Sequence, residues 1–200
     1  MISELKRSLR RLKAQRASFP LTRRPDEALS FADVALGSGS DLMLDTTVYI
    51  DTLQGRAPAA LQRLLDDRIA HHSAVALAEL THLFGRLDPA HAGTAAVLSR
   101  VTTLISAIPL RRLTAPSLKA WSEAGMLAGL AARLTGRRRE QALLNDALLW
   151  LHAGETGRVV LTRNAADFDL LEQLAPGGRL LVYRRAERDR GGGEVGSGGG

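Results

Sequence analysis

Four acidic side chains stand in places where an acid is costly. Asp45 ends the apolar run of "LMLD" and leads directly into two threonines. Glu79 sits inside "AVALAELTHLF", among Val75, Leu77, Leu80, Leu83 and Phe84. Asp146 follows Asn145 in "ALLNDALLWLHA", a stretch whose other side chains are almost all apolar. Asp167 lies just past "VVLTRN". Taken singly, each has an ordinary explanation: Asp45 and Asp167 could cap helices, and Glu79 and Asp146 could face a narrow solvent strip. Taken as a set they suggest chemistry. Carboxylates brought together raise one another's pKa unless a cation neutralises them. With oxygen ligands and no thiolate, the cation that fits is Mg²⁺, with Mn²⁺ as a substitute. The reaction such a centre supports is in-line phosphoryl displacement.

The set needs a scaffold that gathers distant segments. "LMLD", "RIAHHSAV", "IPLRRL", "RVVLT" and "RLLVY" read as short buried strands. Helical periodicity fills the intervals at 47–54, 58–67, 76–87, 90–106, 117–134, 138–153 and 167–174. Strands alternating with helices predict an α/β domain, a three-layer α/β/α arrangement with a central parallel sheet. Sites in such sheets form beyond the carboxyl ends of the strands, where Asp45 and the segment from Thr162 to Asn164 belong.

The expected organisation is a basic N-terminal arm and loosely structured connector at 1–40, one domain at 41–185, and a Gly-rich disordered tail at 186–200. Residues 1–24 carry eight Lys and Arg against one acid, a net charge of +7, whereas the other 176 residues carry −1. Ile2, Leu5, Leu9 and Leu12 form an apolar stripe on the arm, which either docks on the body or lies on a polyanion. The absence of cysteine excludes disulfides, thiolate zinc sites and thiol catalysis. No apolar run spans a membrane and no secretory signal core is present, so a cytoplasmic protein is expected.

In series, "LDTTVYID", "HHSAVALAEL" and "LNDALLWLHAGETGRVVLTRNAADF" resemble the PIN-domain nucleases, above all the VapC-type toxins of toxin–antitoxin pairs. The resemblance covers residues 41–184. It implies a PIN-like fold, Mg²⁺-dependent endoribonuclease activity on structured RNA, a homodimer, and a small antitoxin as partner. By position, Asp45 matches the first acid of the family pattern and Thr47 the hydroxyl supporting it. Glu79 matches the acid after the second strand, and Asp146 the acid opening the "DA" helix. The fourth position departs from the pattern: Asn164 stands where members often carry Asp, and Asp167 fits the "DF" that follows. Either could complete the site, with Asp45 and Asp146 as the metal ligands.

Arg163 and the run 137–139 are candidate phosphate contacts, as are Arg10 and Arg11 on the arm. Trp121, Trp150, Tyr49 and Tyr183 lie in apolar contexts and are expected in the core, not as stacking platforms for bases. "ELTH" fits the Glu-x-x-His element of di-iron bundles, but no second copy exists. Adjacent His71 and His72 would point to opposite faces of a strand and cannot share a metal. Neither a Gly-rich phosphate loop nor a nucleophile elbow occurs. Two further functions stay open: a catalytically silent PIN-like module that binds RNA or protein through the arm, and, more weakly, a DNA-binding regulator, for which no helix-turn-helix is evident.

Overall fold

A computed structural model describes residues 2–14, 17–32, 39–136 and 140–186. The run 137–139 and the tail from 187 lie outside the described residues, as does most of the Gly/Ser stretch after Ala32. Five short strands form one sheet: β1 (Leu42–Leu44), β2 (Ala70–Ser73), β3 (Leu113–Thr114), β4 (Val159–Thr162) and β5 (Arg179–Val182). Their order is β3-β2-β1-β4-β5, and every pair is parallel. Eight α-helices join or flank them: α1 (Ile2–Leu12), α2 (Thr46–Leu53), α3 (Ala59–Asp67), α4 (Ala74–Arg86), α5 (Thr94–Ser106), α6 (Leu118–Thr135), α7 (Glu140–Glu155) and α8 (Ala165–Leu174).

Strand period decides the layers. Met43, Val160, Leu180 and Val182 point to one face and join a core with α6, α7 and α8. Leu42, Leu44, Val159, Leu161, Leu181 and Tyr183 point to the other and pack with α2, α3, α4 and α5. The expected three-layer α/β/α architecture with a parallel sheet is the one observed. β1 and β4 are buried at every residue, which is why they read as unbroken apolar runs.

Several boundaries differ from the sequence reading, each for a local reason. The second strand stops at Ser73, whose hydroxyl accepts from the amide of Val75 and starts α4. "IPLRRL" is mostly not a strand: Leu110–Arg112 form a 3₁₀ turn after Pro109, and only Leu113–Thr114 pair with β2. The helix expected from 90 begins at Thr94, after a turn in which the amide of Ala90 binds Asp88. α6 ends on Gly136 at φ +68°, a left-handed conformation that favours glycine.

The described part of the connector is tied to the body. Leu21 and Ala32 are buried, and Phe31 bridges β5 at Val182. Arg24 binds the fully buried Asp169 on α8 through both its amide (2.8 Å) and its guanidinium (2.5 Å). The arm is docked as well. Ser8 and Leu12 are buried on α6, and Glu123, only 4% exposed, accepts from Ser8 Oγ and Arg11 Nη2, both at 2.5 Å. Arg133 donates to the carbonyls of Ala14 and Ala17, just after α1. Trp121 departs from expectation too, being 51% exposed, whereas Trp150, Tyr49 and Tyr183 are buried. On a helix packed along one side, Trp121 falls on the outer face. Among the described residues no helix is long and apolar enough to cross a membrane.

Candidate active site

β1 and β4 are neighbours in register, with Leu44 opposite Leu161. Asp45 and Thr162, next along each strand, therefore meet at the carboxyl end of the sheet. Asp45 is 4% exposed and caps α2. Its Oδ1 accepts from the amide of Thr46 at 2.7 Å, and its Oδ2 accepts from the hydroxyls of Thr47 and Thr162, each at 2.6 Å. Burial raises its pKa, the hydroxyls of Thr162 and Thr47 pull it back, and the nearby charge of Glu79 raises it further.

Glu79 projects from the second turn of α4. It accepts from the hydroxyl of Thr46 and, at 2.7 Å, from Asn145 Nδ2 on α7. Asp146 follows on the same turn of α7, partly buried. Its pKa is raised well above the carboxylate norm, first by burial and then by the charges of Asp45 and Glu79. Asp146 is turned towards the acidic cluster, where its Oδ2 accepts from Asn164. Asn164, after β4, is the cap of α8 and accepts from the amide of Asp167 at 3.3 Å. Its Nδ2 donates to Asp146 Oδ2 at 3.1 Å and to Asp167 Oδ2 at 2.9 Å. Asp167 is therefore not the helix cap, and Asn164 and Asp167 occupy one corner of the site together.

The structure brings Asp45, Thr47, Glu79, Asp146, Asn164 and Asp167 into one hydrogen-bonded network. Arg163 adjoins it, its amide donating to Thr47 Oγ1 at 3.1 Å. Arg10 and Arg11 are not brought to the site. Arg11 is bound to Glu123, and it lines a cavity with Gly154, Glu155, Gly177 and Gly178, the residues that lead into the amino ends of β4 and β5. That is the opposite end of the sheet, because the strands are parallel. His71 and His72 separate as expected, His71 to Asp41 at 2.8 Å and His72 to the hydroxyl of Tyr49 at 2.6 Å.

Thr46 and Asn145 belong to the site without being expected there, and Thr162, expected only as part of a strand end, joins it by donating to Asp45. Asn145 was visible beside Asp146 as a second polar interruption, and Thr162 as a polar strand end. What they touch depends on register and helix rotation, so their sequence context carried no more signal than that.

The donors suit a hard divalent cation by chemistry, all being carboxylate, hydroxyl or amide oxygen. Among the described residues, no three acidic or histidine side chains converge closely enough to enclose one. Two carboxylates completed by water is the mode Mg²⁺ commonly uses, and Asp45 and Asp146 lie near enough for the charge of one to act on the other.

No family model matches the chain, and no curated protein matches it. Solved structures do. A chain of the FitAcB complex from Neisseria gonorrhoeae is 19% identical, with 70% of this chain and 96% of that one aligned and a TM-score of 0.52. A chain of VapBC2 from Rickettsia felis, bound to a DNA fragment from their promoter, is 18% identical over 72% of this chain and 98% of that one, with a TM-score of 0.51. The chain has a PIN-like fold. DNA-bound VapBC from Salmonella typhimurium is similar at 25% identity over 71% and 97% of the two chains, TM-score 0.49. The Neisseria gonorrhoeae and Rickettsia felis chains align over 96% and 98% of their own length, and in this chain the acidic network sits at the carboxyl ends of the strands.

Proposed function

We propose that this chain is a Mg²⁺-dependent endoribonuclease acting as the toxin of a toxin–antitoxin pair. The observation that carries the reading is the junction of β1 and β4, where Asp45, Glu79, Asp146, Asn164 and Asp167 share one network in a PIN-like fold. The fold alone hosts many functions, so the argument lies in the site.

Asp45 and Asp146 would hold Mg²⁺, or Mn²⁺ in its place. The ion would offset the charge of a phosphodiester undergoing displacement and make the attacking water more acidic. The chain's own residues prepare that site. Thr46, Thr47 and Thr162 fix both oxygens of Asp45 in one orientation, so little reorganisation is needed when substrate arrives. Glu79, held by Thr46 and Asn145, would orient the attacking water. Asn164 draws Asp146 and Asp167 together without adding a further charge. A toxin of this kind would work as a homodimer restrained by a small antitoxin and would act in the cytoplasm.

The test is cleavage of RNA by purified protein with Mg²⁺, with Mn²⁺ and with EDTA. Metal-dependent cleavage that Asp45→Asn abolishes supports the reading. Equal cleavage by Asp45→Asn overturns it. The silent module is a second reading, favoured by the neutral Asn164 and by the absence, among the described residues, of a tight three-acid cluster. It predicts RNA binding without cleavage under any metal condition. Deleting the arm is a poor way to separate the two, since α1 is anchored on buried Glu123. Arg7→Glu with Arg10→Glu, at exposed positions of α1, lowers the arm's net charge from +7 to +3 and leaves that anchor intact.

A further inference from the structure

Asp51, in the last turn of α2, is fully buried and has no part in the acidic network. Three donors converge on it. Its Oδ2 accepts from Arg163 Nε at 2.7 Å and from the hydroxyl of Tyr183 at 2.9 Å, and its Oδ1 accepts from Arg185 Nε at 2.7 Å. One carboxylate thus holds two guanidiniums side by side. Both bonds run from Nε, and both arginine side chains keep 34% of their surface exposed. Among the described residues, the terminal nitrogens of Arg163 and Arg185 make no hydrogen bond, so their outer forks stay available.

The position of this pair is fixed relative to the acids. Arg163 lies between Thr162, which binds Asp45, and Asn164, which binds Asp146, and its amide is held by Thr47. Packing two cations together is costly without a counter-charge, and Asp51 supplies one while leaving the trio at +1. A rigid guanidinium pair beside a polyacidic site suits bidentate capture of a phosphodiester.

Building on the proposed nuclease function, we infer that Arg163 and Arg185 form a two-arginine clamp for an RNA phosphate flanking the scissile one, and that Asp51 is its positioning residue. The clamp lets an acidic site hold a polyanion, because the cationic contact is built into the neighbouring surface. It also gives the segment 183–186 a role, since Tyr183 and Arg185 both end on Asp51.

The test is fluorescence anisotropy with a fluorescein-labelled single-stranded RNA in EDTA, across a KCl series, with cleavage in Mg²⁺ measured separately. Arg185→Gln and Arg163→Gln should each weaken RNA binding on the order of tenfold, the loss of a charged hydrogen-bonding contact. Each should also flatten the log–log salt dependence by about 0.7, the value for one phosphate contact on a single strand. Arg163→Lys and Arg185→Lys should not rescue affinity, because one ammonium cannot both bind Asp51 and reach outward in a fork. Arg100→Gln, which removes an exposed charge on α5, should change affinity less than about twofold. Thermal unfolding checks the fold of each variant. If an Arg163 variant does not fold, the Arg185 pair decides, since that residue lies at the exposed end of the body. Variants that bind as the parent does overturn the clamp, and the nuclease reading survives if the parent cleaves. Rescue by lysine reduces the clamp to simple charge and also overturns it. A parent that neither binds nor cleaves RNA overturns both.

Discussion

Asn164 joins Asp146 across the gap between β4 and α7, donating from Nδ2 at 3.1 Å while the same nitrogen reaches Asp167 at 2.9 Å. A neutral amide therefore bridges two acids at a position where another acid would add charge. Asn164→Ala removes this bridge and the cap of α8 together, and it should cost about 1 kcal/mol of stability from the cap alone. Activity should fall further than stability explains, because Asp146 loses its orientation. Asn164→Asp should tighten Mn²⁺ binding and lower the stability of the metal-free protein. Calorimetric metal titration alongside thermal unfolding checks both; no change in metal affinity in Asn164→Asp would remove this corner from the site.

Asp146 sets the response of the metal-free protein to pH. Its pKa is raised by burial and by Asp45 and Glu79, so above the ordinary carboxylate range the folded state binds more protons than the unfolded chain. Stability from this residue is full at low pH and lost as pH rises through its folded value. Asp146→Asn should therefore be more stable than the parent at neutral pH in EDTA, by about 1 kcal/mol, as expected for relief of a destabilised active site. The advantage should shrink on acidification and again when Mg²⁺ is added to the parent. Denaturant melts in EDTA and Mg²⁺ across pH would show it, and a less stable Asp146→Asn protein at pH 7 would contradict the buried cluster.

His72 acts in the opposite direction. Burial, with the charges of His71 and Arg112, lowers its pKa to about 4. The unfolded chain is protonated below pH ~6.5 while the folded state stays neutral. Stability from this site is present above that value and is lost as pH falls from about 6.5 toward about 4, by at most about 3 kcal/mol. Nuclear magnetic resonance of the ring should show no protonation near pH 6. A His72 titration at pH 6.5 would show that the Tyr49–His72 pair is not closed in solution.

Glu123 tests the docking of the arm. It is buried, and Ser8 and Arg11 both end on it. Glu123→Ala should cost about 1–3 kcal/mol, the penalty of leaving buried donors without their acceptor, tempered by the partly exposed Arg11. Trypsin should then cut within residues 6–13 faster than in the parent. Unchanged protection would mean that α1 is held by its apolar stripe alone.

Periodicity made the layers legible. "RVVLT" and "RLLVY" alternate between the two cores as a period of two requires, and the capped run to Gly136 ends where a helix should. Ser73 shows where that reading stops: its apolar neighbours suit a strand, and only the hydroxyl bond to Val75 ends it. The connector looked loose because Pro, Gly and Ser carry no period. Its buried contacts, Leu21 and the Arg24–Asp169 pair, are with partners more than a hundred residues away.

Residue type and position alone marked Asp45, Glu79, Asp146 and Asp167 as a set, because four acids in or beside apolar runs are costly to place together without a counter-charge. The tertiary structure decided which of their neighbours matter. Asn164 and Thr162 are ordinary polar residues until β4 is set beside β1, and Arg11 reads as an RNA contact until α6 presents Glu123 to it. Asp51 is the clearest case. Its donors lie 112, 132 and 134 residues away, a separation over which local propensity carries no information, and only the packing of a parallel sheet brings them to one carboxylate.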